Sequence, residues 1–135
     1  MVLAEFLVPR RPVSAQAKRR KTLQTWKEFV RQQAVDVWRG KPSITAGALQ
    51  LTLVYLYDGP RADADNIIKP IQDALSGVIF SDDTLVTDVE SHLRPVSATF
   101  EAARLPQPLL AHLATGTEGV YLRLSRARSL EEYLG

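Results

Sequence analysis

The sequence predicts an α+β fold, a single small domain over residues 1–135 in which one mixed β-sheet is packed with helices. Three observations lead there. Apolar residues recur every three or four positions over a long stretch before residue 40. Three later segments alternate with period two. The elements interleave as strand, helix, strand, helix, strand, strand, helix, which suits one sheet with helices laid on it. A chain of 135 residues is long enough to bury its own core.

EFLVPRRPV, residues 5–13, reads as an edge strand that ends in a loop, because Pro9 and Pro12 cannot donate to a ladder. SAQAKRRKTLQTWKEFVRQQAVDVWRG then predicts a long helix over 14–40. Leu23, Trp26, Val30, Ala34 and Val37 form its stripe, Phe29 and Trp38 widen it, and Gly40 and Pro42 end it. Both tryptophans are expected in the core or at a contact between copies. ALQLTLVYLY, residues 48–57, is the clearest strand, and its second half is apolar on both faces, as in a central strand. Asp58-Gly59-Pro60 turns the chain.

A second helix is expected from Ile67 to Ser76, with Asn66 as N-cap and Gly77 just past its end. VIF, 78–80, is a short apolar return, and residues 85–96 form another strand. Residues 97–118 hold Pro106, Pro108 and Gly116 and read as loop, with a short helix around 109–113. VYLRLSR, 120–126, alternates as a strand, and SLEEYLG closes the chain as a short helix.

Composition narrows the function classes. There is no cysteine, hence no disulfide framework and no thiolate zinc site. No apolar run approaches the roughly 20 residues of a membrane span, and VLAEFLV carries Glu5 and ends at a proline, unlike a signal peptide. The expected location is cytoplasmic. The net charge of +2 divides unevenly. Residues 1–41 hold ten Lys+Arg against three Asp+Glu, and residues 42–135 hold seven against twelve, so +7 and −5. A basic front and an acidic back point to a polyanion partner and a separate cation site. Arg10, Arg11, Lys18, Arg19, Arg20, Lys21, Lys27, Arg31 and Arg61 are the candidate DNA-binding residues. The competing reading is a basic helix face that is merely solvated.

RADADNIIKPIQDALSGVIFSDD, residues 61–83, gathers five carboxylates. Asp63 and Asp65, two apart in an extended segment, point the same way and repel unless a cation lies between them. Mg²⁺ is held in this manner, by one or two carboxylates with water and phosphate oxygens. Helix capping by Asp65 or Asn66 is the alternative. Pro70 suits only a first turn, which sets Lys69 at the third helical position, where a cation opposes the helix dipole by roughly 0.3–1 kcal/mol. A docked phosphate would explain that charge. Asp82 and Asp83 return after the helix and either join Asp63 and Asp65 or form an acidic turn. The calcium loop pattern fails at Ile67 and Ile68, no phosphate-binding G-x-x-x-x-G-K-[ST] occurs, and His92 and His112 are read as ordinary residues.

The run D-x-D-N-x-x-K, followed by D-A-L and D-D, resembles the RusA family of Holliday junction resolvases. The matching residues are Asp63, Asp65, Asn66, Lys69, Asp73-Ala74-Leu75 and Asp82-Asp83. The resemblance implies a RusA-like fold and a homodimer that cuts branched DNA with Mg²⁺ or Mn²⁺. It implies metal carboxylates at Asp63, Asp65 and Asp83 with Asp82 in support. It implies an essential lysine at Lys69 near the scissile phosphate, and a structural role for Asn66. Catalysis would rest on Asp63, Asp65, Lys69 and Asp83. Family members often carry an arginine run before the first aspartate, where this chain has Arg61 alone. The alternatives are a non-catalytic nucleic-acid-binding module, a less selective metal-dependent DNase, or a nuclease used as an effector against other cells or phage.

Overall fold

The computed structural model describes residues 1–135. The elements are β1 (Val2–Val8), α1 (Arg20–Val37), β2 (Leu49–Tyr57), α2 (Ala64–Leu75), β3 (Val86–Pro95), α3 (Gln107–Leu113), β4 (Gly119–Arg126) and α4 (Leu130–Leu134). One-turn 3₁₀ segments stand at Asp83–Leu85 and Ala102–Arg104. The strands form one sheet in the order β1-β4-β2-β3. β4 is antiparallel to both β1 and β2, and β3 is parallel to β2, so the sheet is mixed as expected. β1 lies at the edge and β2 inside, also as expected. No helix is long and apolar enough to cross a membrane.

The alternation of the strands decides which face is covered. Phe6 and Val8 of β1, Leu49, Leu51, Leu53 and Tyr55 of β2, and Val120, Leu122 and Leu124 of β4 point to one side. α1 lays Trp26, Val30 and Ala34 on that side, and α2 adds Ile67, Ile71, Ala74 and Leu75. Trp26 and Trp38 are both buried in this core. On the opposite face a smaller cluster forms where Leu56 and Tyr121 meet Leu109 of α3. Residues 97–118 therefore serve as a cover for one end of the second face rather than as a free loop. His112 of α3 is buried there, with Nε2 at 3.0 Å from the Thr117 carbonyl and 3.1 Å from that of Glu118.

Two helix starts differ from the sequence expectation. α1 begins at Arg20, not Ser14. The Ser14 hydroxyl accepts from the Gln16 amide at 3.0 Å, a local turn that competes with helix. The Ala15 amide is used elsewhere: it donates to the Asn66 carbonyl at 2.8 Å. That bond also explains the second difference. The N-cap position of α2 is Asp63, not Asn66, without a side-chain capping bond, and the helix runs through Pro70. Proline has no N–H, so the carbonyl four residues earlier, that of Asn66, loses its helical donor. Ala15 replaces that donor, and the proline ring is buried. Lys69 consequently lies in the second turn, and the dipole argument for a phosphate beside it falls away.

α2 ends on Ser76, and Gly77 follows with φ +82°, the left-handed conformation that favours glycine at this position. Arg31 of α1 donates to the Ala74 and Ser76 carbonyls at 3.4 and 3.2 Å, placing a cation at the negative end of the α2 dipole. Ile71, fully buried between the two helices and the sheet, is the most sensitive single point of this packing. Ile71→Ala is expected to lower unfolding free energy by about 2–5 kcal/mol, read from urea denaturation followed by circular dichroism.

Candidate active site and nucleic-acid interface

Because β2 and β3 are parallel, α2 must carry the chain back along the sheet before β3 can begin. This return brings Asp83 beside the helix. Asp65, Lys69 and Asp73 are spaced by four and form one stripe on α2. Lys69 Nζ lies 3.0 Å from Asp73 Oδ1 and 2.8 Å from Asp83 Oδ2. The two motif segments, fourteen residues apart, thus meet through the lysine. Asp82 accepts from the Thr84 amide at 3.1 Å and caps the 3₁₀ turn that presents Asp83. Asp65 stands in the first turn of α2, where its charge favours the helix dipole, and accepts from the Asn66 amide at 3.1 Å.

The expected four-carboxylate cluster is not gathered in one place. No group of three His, Cys, Asp or Glu side chains stands close enough to share a metal ion. The donor set nevertheless has the chemistry of a hard divalent cation, all carboxylate oxygens on exposed or half-exposed residues. At Asp83 one oxygen is already taken by the Lys69 ammonium, so the lysine acts as an internal counter-ion. Bonds to Asp83 and then Asp73 raise the Lys69 pKa above 10.5. The Lys69 bond first, and the Asp82 contact second, lower that of Asp83 below 3.8.

The basic residues divide into two groups. Arg10, Arg11, Arg19 and Lys21 line one cavity of about 400 Å³ together with Thr22, Thr25 and Trp26. Arg10 and Lys21 continue into a neighbouring groove beside Phe29, over whose ring the Arg10 guanidinium stacks at 3.6 Å. Arg19, Arg20 and Lys21 crowd the N-terminus of α1, which has no acidic residue in its first turn and no side-chain cap. Cations at the positive end of a helix dipole are locally unfavourable, which an anion docked there would relieve. Lys18 and Arg20 are exposed beside them.

The second group is committed to the fold. Lys27 pairs with Asp73 at 3.2 Å, and Arg31 holds the α2 carbonyls. Arg61 falls outside this group: it is exposed, and its 5.3 Å approach to the Tyr57 ring is looser than that of Arg10 to Phe29. Arg11 belongs to both groups, since it also donates to the Pro60 carbonyl and lies 3.6 Å from Glu118. Glu118 is a residue the sequence reading missed. It accepts from the Asp58 amide at 2.7 Å and so steadies the turn that leads into Asp63. Its position in a Thr-Gly loop carries no sequence signal for that role.

A family model described as endodeoxyribonuclease RusA matches residues 9–99. The chain belongs to the RusA family. No curated protein matches the chain. The RusA match takes in α1, β2, α2, β3, both aspartate pairs and every candidate DNA-binding residue, and leaves β1, α3, β4 and α4 outside. Membership makes the protein an endodeoxyribonuclease of the Holliday-junction-resolving type.

The Lys69–Asp83 pair has a pH signature. Asp83 contributes stability that is complete above 3.8 and is lost as pH falls through its lower folded value. Lys69 contributes stability that is complete below 10.5 and is lost as pH rises through its higher folded value. The stability difference between wild type and Asp83→Asn is therefore expected to be flat between these limits and to shrink on both sides. Urea unfolding of metal-free protein across pH measures it, and added salt should reduce the difference because the pair is exposed.

Proposed function

We propose that this RusA-family chain is a Mg²⁺- or Mn²⁺-dependent endonuclease that cuts four-way DNA junctions as a homodimer, in recombination and repair in the cytoplasm. The observation that carries the reading is the contact of Lys69 with Asp83, which joins the two motif segments at one place. The basic cavity at the start of α1 supports it, offering backbone phosphates a cluster of cations beside two threonine hydroxyls.

Asp63, Asp65 and Asp83, with Asp82 beside them, would hold the divalent cation. When bound, the cation supplies charge neutralisation at the phosphate and lowers the pKa of a bound water. The chain's own residues do the rest. Arg10, Arg19 and Lys21 hold the DNA backbone. Lys69 swings from Asp83 to the non-bridging oxygens of the scissile phosphate, where negative charge grows as water adds in line and the P–O bond breaks. Release of Asp83 from the lysine frees its oxygens as the phosphate enters. A two-fold dimer would set one such site against each of two strands of a junction, whose own symmetry is approximately two-fold.

The test is purified protein with a synthetic four-way junction and Mg²⁺. Paired symmetric nicks are expected, and Asp63→Asn should abolish them while leaving junction binding intact. Affinity should fall steeply with salt, and replacing Arg19 and Lys21 with Ala should flatten that slope by about two phosphate contacts. Equal cutting of linear duplex would reduce the reading to a general DNase. Binding without cutting at any divalent metal would leave only a nucleic-acid-binding module.

A further inference from the structure

Asp73 is the one carboxylate of the 61–83 segment that the metal reading does not use. It is also the most connected. Its Oδ1 lies 3.0 Å from Lys69 Nζ on the same helix, and its Oδ2 lies 3.2 Å from Lys27 Nζ on α1. The Lys69 ammonium continues the series to Asp83 at 2.8 Å. Four alternating charges thus run from the helix that carries the basic cavity to the aspartate expected to hold metal. Lys69 is the exposed member of the series: its side chain is 59% exposed, against 26%, 33% and 30% for Lys27, Asp73 and Asp83. The covered pair is suited to be the anchor, and the exposed ammonium to be the moving part.

We propose that Asp73, held by Lys27, is the positioning residue for Lys69. The proposal rests on the junction-cleavage reading for its consequence. A lysine on a surface helix disperses over many rotamers. A carboxylate one turn on, itself tied to a second helix, restricts the ammonium to the Asp83 side of α2. When Asp83 is taken by a cation, the ammonium loses one partner and keeps the other. It stays one side-chain swing from the phosphate. An ordinary interhelical salt bridge would make no such demand, and its loss would cost stability alone.

The experiment is a double-mutant cycle of Asp73→Asn and Lys69→Ala, scored by single-turnover junction cleavage in Mg²⁺ and by junction affinity in Ca²⁺. Asp73→Asn should slow cleavage about tenfold while affinity is unchanged or tighter, since a negative charge near the DNA has gone. Asp73→Glu should recover part of the rate. Lys27→Met, which removes the anchor without touching the acidic segment, should slow cleavage in the same direction. The double variant should be no slower than Lys69→Ala alone. Wild-type rates in folded Asp73→Asn, or an equal slowing in both backgrounds, overturn the proposal. If the wild type leaves junctions intact, the functional reading fails separately, and Mn²⁺ titration of the free protein then decides the placement. Lys69→Ala should bind Mn²⁺ several-fold more tightly, because the competing ammonium is gone, and that gain should shrink in the Asp73→Asn background, where the ammonium is no longer held beside Asp83; an equal gain in both backgrounds overturns the proposal.

Discussion

The parallel pairing of β2 with β3 is the constraint from which the rest of the molecule follows. Two parallel strands cannot be joined by a turn, so the chain between them has to recross the sheet. α2 does this on the face already covered by α1, which gives both helices one shared core with Leu49, Leu51, Leu53 and Tyr55 beneath them. The same crossing carries Asp63 and Asp65 to the start of the helix and folds Asp83 back against Lys69. Core and candidate active site are thus products of one connection. Arg31 and Lys27 of α1 bind α2 near its C-terminal end, so the basic helix and the acidic helix are tied together by polar contacts as well as by the core.

Electrostatics then explains how the acidic segment is balanced within the chain. Lys69 is shared by Asp73 and Asp83, and Lys27 completes the charge of Asp73. Asp83, the carboxylate proposed to hold a divalent ion, is thus neutralised by a lysine of the chain itself. At the other side of α1 the balance is reversed. Arg19, Arg20 and Lys21 crowd a helix start that carries no acidic residue. The molecule therefore keeps uncompensated positive charge where a DNA backbone can use it and compensates negative charge where chemistry is expected.

The backbone argument that misled at Pro70 shows how a local rule is overridden. A proline inside a helix leaves one carbonyl without a donor, which is why the sequence placed the helix start at Asn66. In the folded chain that carbonyl accepts from Ala15, a residue fifty-one positions earlier, and the helix begins at Ala64. The same bond ties the segment ahead of α1 to α2. One long-range hydrogen bond moved the α2 boundary, and no periodicity could have announced it.

Periodicity and turn chemistry by themselves determined the strands, both long helices, the central place of β2, the edge place of β1 and the tryptophans of the core, because each depends on residues close together in the chain. The spacing of Asp63, Asp65, Lys69 and Asp83 was legible for the same reason. Only the tertiary structure decided which charges are spent on the fold. Lys27 and Arg31 looked like Arg19 and Lys21 in sequence, yet the first two are held by Asp73 and the α2 carbonyls. Glu118 and Asp73 became important through partners that the sequence sets far from them or on another helix. A charge acquires its role from what lies within a few ångströms of it, and that neighbourhood is made by packing.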